Sequence, residues 1–199
     1  MDDSLVMAHE NVKSKISGGI RGAINSKLFL NTGIGLSSVE NMSFFMPSAN
    51  DSARFILAVD PESVTVFNWF GNLNYQPTSN TYLNLGAEVY SYGSLETFEK
   101  AWYKPGFKLF VDWFQRYSDK ISSQVRLTTL GGIRAPTPIT LITQTLDPIV
   151  DLSLEGTYQI NEQAEAFLQI QNLFGKEYER FLNYPNRGVA FKIGALYRF

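Results

Sequence analysis

Cysteine is absent from the 199 residues, and histidine occurs once, at His9. No disulfide framework, thiol nucleophile or thiolate-bound metal is possible. His9 has no evident partner for base or metal chemistry and reads as a solvated loop side chain. No run approaches the roughly 18 consecutive apolar residues of a membrane helix. That excludes a helical membrane protein but leaves open a barrel, whose strands need only about 9–11 residues with one apolar face. Charge is scarce as well: charged residues make up 18% of the chain, below the roughly 25% of an average soluble domain. The net charge of -2 offers no basic surface for nucleic acid.

Aromatic residues are abundant, with 15 Phe and 10 Tyr, and no long helical periodicity accompanies them, which favours strands. Period-two alternation runs through the chain. Near the end, Val189, Phe191, Ile193, Ala195, Tyr197 and Phe199 share one face, opposite Ala190, Lys192, Gly194, Leu196 and Arg198. Val150, Leu152, Leu154, Gly156, Tyr158 and Ile160 oppose Asp151, Ser153, Glu155, Thr157 and Gln159. Ala164, Ala166, Leu168 and Ile170 oppose Gln163, Glu165, Gln169 and Gln171, with Phe167 an exception on the polar row. Phe107, Leu109, Val111 and Trp113 oppose Lys108, Phe110, Asp112, Phe114 and Arg116. Similar rows begin at Ile121 and Tyr82. Three further strands are expected over Val12 to Ile24, Lys27 to Ser37 and Val64 to Tyr75. In the first, Val12, Ile16, Ile20 and Ile24 oppose Lys13, Lys15 and Arg21; the run Phe55 to Val59 would extend the third. The total is about nine.

The connections alternate in length. Short ones fall at Asn25-Ser26, Pro77 to Asn80, Ser118 to Lys120 and Asn161-Glu162. Long ones run from about Ser38 to Glu62, Gly93 to Pro105, Arg134 to Pro148 and Gly175 to Asn186. Tight turns at one end and long loops at the other are the pattern of an outer-membrane barrel, and no linker divides residues 1–199 into more than one domain. A lipocalin-like barrel would also alternate, with its apolar rows turned inward. Exclusion of charge from the apolar rows does not separate the two. Aromatic placement favours the membrane: Trp69, Tyr75, Trp113, Tyr158, Tyr197 and Phe199 are expected near strand ends, where interfacial girdles sit. On this reading Lys108, Asp112, Arg116, Asp151, Glu155, Glu165 and Lys192 line the interior.

Several segments resemble the C-terminal barrel of TonB-dependent receptors of the Bacteroidetes-like style. They are Gly131-Gly132-Ile133-Arg134-Ala135, Leu146-Asp147-Pro148-Ile149-Val150-Asp151-Leu152, Asn172-Leu173-Phe174-Gly175-Lys176-Glu177-Tyr178 and Tyr184-Pro185-Asn186-Arg187-Gly188. The close of the chain, with Phe191, Ile193, Ala195, Tyr197 and a terminal Phe199, resembles the assembly signal that barrel-insertion machinery reads in bacterial outer-membrane proteins. The resemblance implies an all-β, antiparallel up-and-down transmembrane barrel in the bacterial outer membrane, part of a ligand or nutrient uptake receptor. Its partners would be outer-membrane lipid, the assembly machinery and TonB through the parent chain. Such receptors have a TonB-box segment, a plug domain and about 22 strands; this chain offers about nine strands and no plug. It begins without the basic and apolar regions of a signal peptide, as expected of a processed chain or a piece of a longer one. An odd strand count places the two ends on opposite sides, so an incomplete wall with two unpaired edges is expected. A complete barrel of about eight strands is the alternative if one strand is a loop.

The chain does not read as an enzyme, and no cofactor or metal is implied. Asp151, Glu155 and Glu165 share polar rows, but nearby cations make charge balance the plainer role than acid–base work. Asp60, Asp147 and Asp151 lack the clustering a Ca²⁺ site needs. Gly18-Gly19 and Gly131-Gly132 lack the following Lys-Ser/Thr of a phosphate loop and suit bends or close backbone approach. The aromatics of the long loops, including Phe44, Phe45, Trp102, Tyr103, Tyr178, Phe181 and Tyr184, either form a binding surface or pack the loops together over the mouth. The non-transporting alternative is an outer-membrane scaffold or simple pore.

Overall fold

The computed structural model describes residues 10–48, 54–137, 140–186 and 188–198. Among these residues the regular structure is entirely strand. In chain order the strands are β1 (Asn11–Asn25), β2 (Leu28–Glu40), β3 (Met42–Pro47), β4 (Phe55–Asp60), β5 (Val64–Thr78), β6 (Thr81–Tyr92), β7 (Phe107–Arg116), β8 (Ile121–Gly131), β9 (Arg134–Pro136), β10 (Thr143–Thr145), β11 (Ile149–Gln159), β12 (Ala164–Gln171), β13 (Glu179–Phe181), β14 (Tyr184–Pro185) and β15 (Ala190–Tyr197). Nine of them form one antiparallel sheet in the order β1-β2-β5-β6-β7-β8-β11-β12-β15, an up-and-down meander. Among the described residues β1 pairs only with β2, and β15 only with β12, so the sheet is open at both edges. The total accessible surface is 13044 Å² for 22.4 kDa. A compact monomer of that mass exposes about 9,400 Å², so the sheet is a wall and not a closed globule.

The pairing register shows why alternation is so regular. Leu28, Tyr75, Leu83, Trp113, Val125, Leu154, Ile170 and Phe191 lie in one cross-strand row. The rows around it carry Leu30, Leu73, Leu85, Val111, Leu127 and Leu152. Apart from Val12 and Ile24 in β1, the apolar rows read from the sequence fall on one continuous face. A one-residue slip anywhere would break it, because successive side chains point to opposite sides. That face is uncovered in the isolated chain: Ile193 is 85% exposed, Ile16 76% and Phe191 70%.

Two details depart from the expected strands. A bulge between Val12 and Ser14 sets Val12 opposite Val39, out of line with Ile16 and Ile20, and a second irregularity between Ala23 and Asn25 takes in Ile24. Phe55 to Val59 does not extend β5. It belongs to β4, which pairs with β3 in a separate hairpin. The break falls at Pro61, which has no N–H to give to a ladder. There the fully buried Asp60 turns the chain by accepting the Glu62 amide at 3.2 Å and the Thr97 amide at 3.0 Å.

Three of the phenylalanines on the polar face share a cause. Phe70 opposes Gly33, Phe110 opposes Gly86, and Phe167 opposes Gly194. In each pair the ring fills the space where a Cβ of the glycine would stand, within 2.0–2.8 Å of that position. The rings lie down on the neighbouring strand and do not project from the wall.

The core lies at the long-loop end. Val39, Met42, Phe44 and Val64 form one buried cluster. Trp102, Tyr103, Ile133, Ala135, Leu146 and Ile149 form another, with Met46, Phe55, Phe98, Leu130, Tyr178, Phe181 and Leu182 packed against it. Val39, Val64, Leu130 and Ile149 stand on the polar side of the sheet by register, where the loops dock.

Candidate functional site: the polar wall and its loop cap

The register places all seven residues assigned to the interior on the face opposite the apolar one. Lys108 opposes Glu88, and their side chains approach to 3.5 Å. Asp112 opposes Arg126 and pairs with it at 2.5 Å. Arg116 opposes Ser122. Glu155 and Lys192 flank Gln169 in one row. Glu165 meets Arg198 at 3.6 Å near the short-turn end. Charges of opposite sign are thus set side by side on neighbouring strands. These pairs are half-exposed and each contributes at most about 1 kcal/mol.

Asp151 has a different role from the other carboxylates. Its Oδ1 accepts the Ser153 hydroxyl at 3.0 Å and the Asn172 amide at 3.4 Å, and its Oδ2 accepts the Tyr178 hydroxyl at 3.0 Å. The segments read as family-like therefore meet in space: Asp151 on the wall, Asn172 at the end of β12, and Tyr178 in the loop beyond. Asn172 takes a left-handed conformation, φ 49°, and its side-chain amide donates to the Lys176 carbonyl at 2.8 Å. A short polar side chain is one of the few that adopt this backbone readily. Burial and the Asp151 hydrogen bond both raise the pKa of Tyr178. These contacts account for Asp151 without catalysis or metal binding.

The loop aromatics pack on one another. Phe44 is 1% exposed, Trp102 4% and Tyr103 7%. Phe181 stands among rings from two other loops, 5.0 Å from Tyr103, 5.6 Å from Phe55 and 5.8 Å from Phe45 by ring centroids. Burial pushes the Tyr103 hydroxyl up to about 12, opposed by the Leu182 backbone. Tyr184 and Phe45 keep an exposed side. Beneath this cap a cavity of about 570 Å³ lies between the wall (Arg126, Thr128, Asp151, Ser153) and the Tyr178–Asn186 segment. A second, about 730 Å³, lies under the 94–104 loop beside Tyr90, Tyr92 and Arg134. The loops fold over the polar face, and the apolar face stays bare. The sequence did not show that the loops bend to this side, because nothing in the local pattern carries that direction. No cluster of metal-ligating side chains occurs among the described residues.

The apolar face carries Tyr75, Trp113, Tyr158 and Tyr197 close to the short-turn end, as expected of strand-end aromatics. Trp69 does not sit at a strand end. It is the sixth residue of β5, about 20 Å along the strand from Tyr75 at roughly 3.3 Å per residue. Phe191, Ile193, Ala195 and Tyr197 share the apolar face of edge strand β15. His9, Arg187 and Phe199 lie outside the described residues.

Solved structures with this architecture include the siderophore receptor PirA of Acinetobacter baumannii (TM-score 0.72, 10% identity), covering 93% of this chain and 31% of that one. The closed form of the ferric-catecholate import receptor Fiu of E. coli K12 matches with TM-score 0.70 and 13% identity, over 93% of this chain and 27% of Fiu. A mutant of the ferric enterobactin receptor PfeA of Pseudomonas aeruginosa matches with TM-score 0.68 and 15% identity, over 93% and 31%. The fold is that of a TonB-dependent receptor barrel wall. The chain spans less than a third of the length of these receptors, as an open wall of nine strands does. No family model matches the chain, and no curated protein matches it in sequence. The ferripyoverdine receptor of the outer membrane of Pseudomonas aeruginosa also matches, with TM-score 0.65 and 11% identity.

Proposed function

We propose that this chain is the C-terminal barrel wall of an outer-membrane, TonB-dependent receptor-like protein that takes part in ligand uptake. The observation that carries the reading is the pairing register. It assembles an unbroken apolar face across nine strands, backed by a charged face that long loops from one end cover. On this reading the apolar face contacts lipid, where a Lys or Arg at the midplane would cost about 2–4 kcal/mol. Lys108, Asp112, Arg116, Asp151, Glu155, Glu165 and Lys192 then line an aqueous bore. Phe191, Ile193, Ala195, Tyr197 and Phe199 form the signal read by the barrel-assembly machinery, and TonB acts through the parent chain. The cavity under the cap, with Arg126 and Arg180 beside Tyr178 and Tyr184, is the part of this wall placed to meet a ligand.

The test is accumulation of labelled ferric catecholates and copper, the cargoes named for matched structures, in cells carrying the full-length protein. Uptake that requires TonB and falls several-fold in Arg126→Ala/Arg180→Ala supports the reading. A correctly inserted protein showing no TonB-dependent accumulation of either would defeat it.

A further inference from the structure

We propose that the strand lying beside β1 in the assembled protein is acidic: a strand of the parent protein that runs antiparallel to β1 and sets carboxylates against Lys15 and Arg21. The proposal rests on the barrel-wall reading and adds to it the chemistry of one neighbour.

Three places inside the sheet show how it holds a cation on the polar face. Lys108 on β7 meets Glu88 on β6 at 3.5 Å, Arg126 on β8 meets Asp112 on β7 at 2.5 Å, and Arg198 meets Glu165 on β12 at 3.6 Å. Opposite charges on neighbouring strands stabilise a sheet, and like charges directly opposite destabilise it. β1 departs from this arrangement. Its register puts Lys15 opposite Ser37 and Arg21 opposite Asn31. The flanking residues of β2 on that face, Phe29, Gly33, Gly35 and Val39, carry no charge. The carboxylate of Glu40, at the end of β2, is taken by Lys13. β5, the next strand in the sheet, has no Asp, Glu, Lys or Arg at all. Among the described residues Lys15 and Arg21 have no ion pair; the Arg21 guanidinium stands over the Phe29 ring at 5.5 Å.

The other edge of β1 is open, and each of its 15 residues is exposed. Hydrocarbon offers no replacement for the missing backbone hydrogen bonds, so open sheet edges do not persist in a bilayer. The occupant is therefore a strand, and charge and direction select it. β1 and β15 are the first and ninth strands of an antiparallel meander and run the same way. β15 also brings Lys192 and no carboxylate. A second copy of β1 brings the same cations, and antiparallel pairing would invert one copy in the membrane. A strand of the parent protein with an acidic polar face meets both demands. Lys15 and Arg21 are six positions apart on one face, about 20 Å at roughly 3.3 Å per residue. The carboxylates that answer them are then also about six positions apart, with apolar residues at the alternate positions to continue the row of Ile16 and Ile20.

A water-soluble carbodiimide joins a lysine to a carboxylate where the two touch. It is applied to the full-length protein in outer-membrane vesicles, unaltered and with Arg21→Lys, and the linked peptides are read by mass spectrometry. The Lys108–Glu88 link is the internal standard. The expected result is linkage at Lys15, and at position 21 in Arg21→Lys, to two carboxylates of one parent segment outside this chain, about six residues apart and in yield like that of the standard. The proposal is overturned if the standard forms while Lys15 stays unlinked, or if Lys15 links only to carboxylates of this chain or to a separate polypeptide. Lys15→Glu/Arg21→Glu gives a second reading. It should lower the recovery of heat-modifiable protein several-fold, and Lys15→Arg/Arg21→Lys should not; equal recovery of the two also overturns the proposal. A barrel that transports nothing would give the same links, and a protein that is no barrel would give no heat-modifiable form at all. Failure of the uptake or barrel reading is thus separable from failure of the acidic strand.

Discussion

Replacing Gly86 with alanine tests whether Phe110 lies flat because its partner is a glycine. A Cβ at Gly86 would stand 2.0 Å from Phe110 Cζ and 2.2 Å from Cε1, so the ring must leave its site. Forcing a side chain from a packed position costs about 1–3 kcal/mol. Phe110 also loses its place beneath the Lys108 ammonium, 5.5 Å from the ring centroid, worth about 0.5–1 kcal/mol. The expected destabilisation is about 2–3 kcal/mol, read as a lowered urea midpoint in reversible unfolding from lipid vesicles. The contrast is Gly156→Ala, where nothing lies within 4 Å of the new Cβ. There the effect should be neutral or a gain of about 0.5 kcal/mol, through the less flexible unfolded chain. In Phe110→Ala/Gly86→Ala the clash has no partner, so the two losses should fall short of additive by about 1–2 kcal/mol. Equal effects of Gly86→Ala and Gly156→Ala, or strict additivity in the double variant, would refute the pairing.

Other outcomes follow from the same wall. Leu127→Arg, on the apolar face between Val111 and Leu152, should cost about 2–4 kcal/mol, and Gln124→Arg on the polar face under about 1 kcal/mol; vesicle refolding separates them. Asp60→Ala removes the acceptor for the Glu62 and Thr97 amides, and hydrogen exchange at those two amides should accelerate by about five- to 150-fold, from the roughly 1–3 kcal/mol cost of a buried unpaired group. Tyr103 keeps its proton longer in the folded cap than in the unfolded chain, about 12 against 10.0. Its share of the stability should therefore be level below pH 10 and fall between about pH 10 and 12, by at most about 2–3 kcal/mol. Tyr103→Phe should lessen that fall, with Tyr178 keeping its own share, in a pH series of denaturant midpoints. Deleting Phe199 should lower the amount of heat-modifiable protein recovered from outer membranes while leaving synthesis unchanged.

The wall was legible in the sequence because each strand has one face that must avoid charge, and the period of two is stated afresh in every strand. Leu152, Leu154 and Tyr158 against Ser153, Glu155 and Thr157 give both the strand and its register. The short hairpins β3–β4, β9–β10 and β13–β14 were not read, since strands of two to six residues are too brief for alternation to show. Phe55 to Val59 looked continuous with β5 because only Asp60 and Pro61 mark the corner. Phe167 stood out as an error in the pattern until its cross-strand Gly194 was in view, a fact of pairing that one strand's sequence does not contain. The motif from Asn172 to Tyr178 was visible as a family likeness. Its cause, three hydrogen bonds converging on Asp151, lies in contacts between distant segments.

Single cysteines placed one by one from Val150 to Tyr158, in the full-length protein reconstituted in vesicles and carrying a fluorophore, test the account most directly. Quenching by a lipid-soluble and by a water-soluble agent should alternate with a period of two. Leu152, Leu154 and Gly156 should respond to the lipid agent, and Ser153, Glu155 and Thr157 to the aqueous one. Absence of alternation, or alternation in the opposite phase, would show that the apolar face does not meet the bilayer.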